Sequence, residues 1–189
     1  MVLVHTLEVF PSVDALNEAV GRAFLARLRA LVDEAQGRAR VNLAISGGAV
    51  ATSLLPSLLP RVGQVDWSRV RVWLVDERFV PAGHTDRNDD QAWEGFFHAA
   101  SGVELVRMPT SDTSAPGGGC LDAATSAFEA TWTELMGTGS FDVALIGMGP
   151  DGHICSLFPG RVDLEEHSPI LAIRNSPKPP PERITVSMP

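Results

Sequence analysis

The chain has 189 residues, is 44% hydrophobic and carries a formal net charge of −8. That length and apolar content are enough to bury a substantial core, so one α/β domain over residues 1–189 is the expectation. The acidic balance argues against nucleic acid or a membrane surface as partner, since a long anionic partner would be repelled, whereas a small anion can still be held by a few local groups.

Cys120 and Cys155 are far apart and form no CxxC pair, so both read as reduced thiols of a cytoplasmic protein. The first residues, MVLVHTLEVF, lack the basic start and long apolar stretch of a signal peptide. No apolar run approaches the ~20 residues of a membrane span. Lys178 is the sole lysine among 15 basic residues, a bias of composition before it is a statement about function.

Residues 2–9 read as a first strand, at an edge. Ser12 is placed to cap a long amphipathic helix with Leu16, Val20, Phe24, Leu28 and Leu31 on one face, and Gly37 fits its stop. Residues 41–45 (VNLAI) form the next strand. Ser46-Gly47-Gly48 turns out of it into a helix over 49–59, which Pro56 kinks or shortens. Residues 70–75 are a third strand, ending in Asp76-Glu77-Arg78. The polar loop after it, FVPAGHTDRND, suits binding better than simple connection, and a helix over 88–98 follows. A short strand at 103–106, a Ser/Pro/Gly-rich loop at 111–119 and an amphipathic helix at 121–136 lead to 141–146, which reads as a buried strand.

Gly147, Gly149 and Gly152 then punctuate a tight loop carrying Asp151 and His153. Such glycines let backbone approach a ligand closely. Beyond Gly160, residues 170–173 and 183–188 read as strands separated by SPKPPP, which favours polyproline geometry. The sequence stops within that last strand, and an α/β sheet rarely ends without a covering helix, so C-terminal elements are expected to be missing.

Alternating strands and helices predict a doubly wound, mainly parallel α/β sheet flanked by helices, Rossmann-like in its winding. In such a sheet the loops at 46–48, 76–78 and 147–153 would emerge on one edge and could share a site. The SGG turn offers backbone N–H groups at the positive end of a helix dipole, a seat for phosphate, although Gly-Gly after a strand is more often a tight turn alone. Arg78 can fork onto a phosphate, or pair structurally with Asp76 or Glu77. His153 suits a general base near neutral pH. Asp151 and Asp76 can orient its ring, bind substrate hydroxyls or cap the turn. The Lys of a Walker loop is absent, and GMGPDG is not read as a dinucleotide fingerprint because no helix follows it. No HxxxH or HxH pairing suggests a metal, and neither GxSxG nor a Cys/His pair suggests covalent catalysis.

ISGG at 45–48, VDERFVPAGHTDRN at 75–88, GMGPDGHICSLFPG at 147–160 and SPKPPPERIT at 176–185 together resemble the 6-phosphogluconolactonases, which share a superfamily with glucosamine-6-phosphate deaminase. GxGxDGHxxSLFPG is the specific part of the match. The resemblance implies the sugar-phosphate isomerase type of fold and hydrolysis of 6-phospho-D-glucono-1,5-lactone to 6-phospho-D-gluconate in the oxidative pentose phosphate pathway, without cofactor or metal. Carried over by position, His153 would activate water. Gly47, Gly48 and Arg78 would surround the phosphate with Lys178 as a candidate to join them, and Asp76 and Asp151 would line the sugar end. Backbone N–H groups from Gly149 to Gly152 are the candidates for the oxyanion.

The sequence departs from the family at Ala49-Val50-Ala51, where relatives often carry Ser or Thr and then proline. It departs again at Arg87, where many have serine, a change that would add positive charge near the pocket. Relatives also continue past Pro189. The runner-up is the deaminase–isomerase, which carries DEY in place of Asp76-Glu77-Arg78 and a glutamate where this chain has Phe158. A non-catalytic sugar-phosphate sensor is the alternative from another class. The expected partner is a small sugar-phosphate lactone, and the expected state is a monomer or weak homodimer.

Overall fold

The computed structural model describes residues 6–35, 40–112 and 119–187. Helix α1 (Val13–Glu34) is capped by Ser12, whose Oγ accepts the Ala15 N–H at 3.2 Å. It buries Phe24, Leu25, Leu28 and Val32. Gly37, its expected stop, lies outside the described residues, as do residues 2–5 of the expected first strand. Residues 6–9 form no regular structure, and Leu7 and Val9 are exposed, so their alternation has no face to bury.

Strands β1 (Val41–Ile45), β2 (Val70–Leu74), β4 (Glu104–Val106) and β5 (Val143–Leu145) build a parallel sheet in the order β4-β2-β1-β5. Strand alternation divides its two faces. Leu43, Ile45, Val70, Val72 and Leu74 pack with α1, with α2 (Leu55–Ser57) and with α3 (Asn88–Gly95). Ala44 and Trp73 point the other way, where α4 (Leu121–Met136) brings Leu121, Ala124 and Phe128. Trp73 is fully buried there, edge-on to Phe128 and Trp132, and its Nε1–H donates to Asn42 Oδ1 at 3.0 Å. Covering both faces of parallel strands in this way gives the doubly wound arrangement that the sequence pattern predicts.

Two features differ from the sequence reading. The first is β5, read as buried, which lies at the sheet edge with Val143 and Leu145 half-buried and Ala144 exposed. The second is the segment after β2. Asp76–Arg78 is itself a strand, β3, and it belongs to a second, antiparallel sheet ordered β3-β7-β6 with β6 (Ile170–Ile173) and β7 (Arg183–Val186). Val75 makes the transfer. Its N–H donates to Ile45 O in the parallel sheet at 2.9 Å, and its carbonyl accepts from Val186 N–H in the other at 2.8 Å. Pro56 shortens the next helix, as the sequence predicts. The helix after the SGG turn opens as a wide π turn over Val50–Leu54 before the short α2. A proline has no N–H to return to the preceding turn and its ring crowds that turn, which accounts for the widening. Among the described residues, no helix is long and apolar enough to cross a membrane.

Candidate active site

The carboxyl ends of β1, β2 and β5 and the short β3 surround a cavity of about 240 Å³. Its lining includes Ser46, Gly47, Gly48, Asp76, Arg78, Asn88, Gly147, Gly149, His153, Cys155 and Arg183. The three segments expected to converge therefore do so. Ser46 ties two of them together, since its Oγ accepts the Gly147 N–H at 2.9 Å.

Close packing explains two of the glycines. A Cβ on Gly47 would lie 1.9 Å from Asn88 Oδ1, and one on Gly149 would lie 2.1 Å from the His153 ring and 2.6 Å from Asp151. The loop closes on itself through Gly149 N–H to His153 O at 2.8 Å and Gly152 N–H to Gly149 O at 2.9 Å. It thereby sets His153 Nδ1 2.6 Å from Asp151 Oδ1. Phe158 stacks on the imidazole, with ring centroids 4.8 Å apart and planes 23° from parallel. With Nδ1 engaged and one ring face covered, Nε2 is the nitrogen left for the cavity.

Asp151 is held well below the usual carboxylate range, first by His153 and then by Lys178. Lys178 Nζ lies 3.0 Å from Asp151 Oδ1 and 3.2 Å from His153 Nδ1, and the residue is not part of the cavity lining. Its placement is therefore beside the acid–imidazole pair, whereas the resemblance makes it a candidate to join the phosphate residues.

Asp76 sits at the cavity floor, 5% exposed, and its Oδ2 accepts from Ser156 Oγ at 2.7 Å. Burial pushes its pKa up, opposed by that bond and by the charges of Arg78 and Arg183. Arg78 faces the same cavity. Its guanidinium donates to Asp86 O and, among the described residues, makes no ion pair with Asp76 or Glu77. Its Nε has no acceptor. Glu77 points away from the cavity and takes the backbone N–H groups of Arg78, Asn88 and Asp89, each at 2.8 Å. Arg87 adds no charge to the pocket. It is buried and forked onto Asp89 at 3.0 and 2.7 Å, with Met108 O as a further acceptor at 2.7 Å.

Two site residues escape sequence reasoning. Arg183 is 4% exposed, lines the cavity 4.0 Å from Asp76 Oδ2, and stands over the Phe158 ring at 5.9 Å. The signal was there in RITV, where alternation puts Arg183 and Thr185 on one face of the strand and Ile184 and Val186 on the other. Phe158 was noted for the glutamate it replaces; its stacking on His153 depends on a chain reversal that spacing does not specify. Cys155 also lines the cavity, but burial and Asp76 push its thiol up to about 12, so it stays protonated and is no nucleophile. Among the described residues, no group of three His, Cys, Asp or Glu side chains is placed to hold a metal.

A parallel sheet whose strand ends gather a glycine turn, two guanidiniums and an imidazole–carboxylate pair marks an α/β protein that handles small anionic substrates. The model of one such family, described as glucosamine-6-phosphate isomerases/6-phosphogluconolactonase, matches residues 11–189, and the chain belongs to that family. The 6-phosphogluconolactonase of Mycobacterium tuberculosis is 36% identical over 189 residues, which cover 97% of this chain and 75% of that protein. A probable 6-phosphogluconolactonase 4 of Arabidopsis thaliana is 34% identical over 194 residues, with 96% and 73% covered. The crystal structure of a 6-phosphogluconolactonase from Shewanella baltica aligns with a TM-score of 0.73 at 29% identity, over 94% of this chain and 72% of that one.

Proposed function

We propose that the chain hydrolyses 6-phospho-D-glucono-1,5-lactone to 6-phospho-D-gluconate, with His153 as general base. The observation that carries this reading is His153, paired with Asp151 at 2.6 Å and lining the same cavity as Gly47, Gly48 and Arg78. A lactone carbonyl is already electrophilic, so the reaction needs a positioned water, a base and support for the oxyanion. His153 Nε2 takes a proton from water as the water oxygen bonds to C1. The tetrahedral oxyanion then collapses, the C1–O5 bond breaks, and the imidazolium returns its proton to O5. A positioned base of this kind contributes ~10²–10⁴-fold. The oxyanion donors expected in the loop 149–152 are not free there, since the Gly149 and Gly152 N–H groups donate to His153 O and Gly149 O and Pro150 has none. The phosphate sits against Gly47, Gly48 and Arg78, and its binding energy fixes C1 relative to the water.

The deaminase reading needs a proton-transferring group beside the histidine for ring opening. Phe158 occupies that place as an apolar ring stacked on His153, which favours lactone hydrolysis. A non-catalytic sensor would have no use for an oriented imidazole. The two free thiols, Cys120 and Cys155, suit a reducing cytoplasmic setting. Acid release from the lactone and ammonia release from glucosamine 6-phosphate, measured on the same preparation, test the reading. Acid release without ammonia is expected; ammonia release alone, or neither, would remove it.

A further inference from the structure

We infer that Lys178 is a positioning residue for the base: its ammonium holds Asp151 ionised and keeps the His153 proton on Nδ1, leaving Nε2 free to accept a proton from water. The inference rests on the lactonase reading and assigns the lysine to the base, away from the phosphate.

The triangle of contacts admits little else. Asp151 Oδ1 and His153 Nδ1 are 2.6 Å apart, so a hydrogen lies between them. An ammonium carries donors and no acceptor. At 3.0 Å from Asp151 Oδ1, Lys178 Nζ donates to the carboxylate and so opposes its protonation. The hydrogen between acid and ring therefore belongs to Nδ1. Lys178 Nζ, 3.2 Å from that nitrogen, is then a neighbouring positive charge and not its hydrogen-bond partner. Once water has given up its proton, the ring, the ammonium and Asp151 together carry one net positive charge beside the oxyanion.

The lysine's place is built into the fold. Its carbonyl accepts from Arg183 Nη2 at 3.0 Å, and its N–H donates to Ser176 Oγ at 3.3 Å. Arg183 also donates to Pro179 O and Pro180 O, so a buried guanidinium braces the whole segment. Other charges face the imidazole as well. Asp76 and Arg78 line the same cavity, and Arg183 stands over the Phe158 ring. Of these cations Lys178 alone touches the Asp151–His153 pair.

The test compares Lys178→Met and Lys178→Arg in the full chain. In Lys178→Met, kcat is expected to fall ~10-fold or more while KM for the lactone changes less than ~3-fold. The acid limb of the pH–rate profile should move to higher pH, because a positive charge 3.2 Å from the ring is gone. Lys178→Arg, which restores the charge, should return the limb toward wild type. A KM raised ~10-fold with kcat and the acid limb unchanged would make Lys178 a phosphate ligand and overturn the inference, as would no change in any of the three. Imidazole ¹⁵N spectra of the ligand-free protein separate this failure from that of the lactonase reading. They should show His153 protonated at Nδ1 and its titration moved to higher pH in Lys178→Met. An Nε2–H tautomer would overturn the inference whatever the protein's activity.

Discussion

Arg78 and Phe158 show how differently two residues of one site can be read. Arg78 follows a strand and stands in a recognisable DER, so its place at the cavity was legible; its freedom from an ion pair was not, because that depends on where Asp86 O and Glu77 fall. With its Nε unpartnered and its carboxylate neighbours engaged elsewhere, the guanidinium is available to an anion. Arg78→Ala is expected to raise KM for the lactone by ~10–100-fold and to leave kcat within a few-fold, the signature of lost ground-state binding. Steady-state kinetics check this, and an unchanged KM would remove Arg78 from the phosphate seat. His153, Asp151, Gly47 and Gly149 were likewise legible, because each belongs to a short stretch whose spacing dictates local geometry. Phe158 and Lys178 act on His153 through contacts that only the folded chain creates.

Among elements, β3 was the least legible. Three residues after a five-residue strand look like a loop, and nothing in DER says that it pairs with RITV more than a hundred positions later. The pairing has a consequence for α3, because Glu77 on β3 accepts the N–H groups of Asn88 and Asp89 at the start of that helix. Burial, then the neighbouring Asp89, push Glu77 up to about 7, whereas its ordinary value is 4.5. Between those limits the folded chain binds more protons at this site than the unfolded one, so the Glu77 contribution to stability falls as pH rises from 4.5 to 7. Glu77→Gln cannot titrate, and its amide turns donors toward backbone N–H groups. Its stability should therefore be lower by about 1–3 kcal/mol and should lack this downward slope. Urea titrations across that pH range check both expectations, and equal slopes in the two proteins would contradict the shift.

At the scale of the whole molecule, a doubly wound parallel sheet followed from apolar runs alternating with amphipathic helices, and with it the convergence of loops on one edge, whereas the strand order β4-β2-β1-β5 did not. The second sheet did not follow, since its strands are short and their partners distant. Its effect is to bring Asp76, Arg78 and Arg183 into the lining of the same cavity as the glycine turn. The proposed anion seat and the imidazole thus share a cavity built where two sheets meet at Val75. The most direct test of that arrangement is lactone turnover by His153→Ala beside its affinity for 6-phosphogluconate. The account predicts turnover no faster than in buffer alone, with the product still bound within a few-fold of wild type. Undiminished turnover in the variant would contradict it.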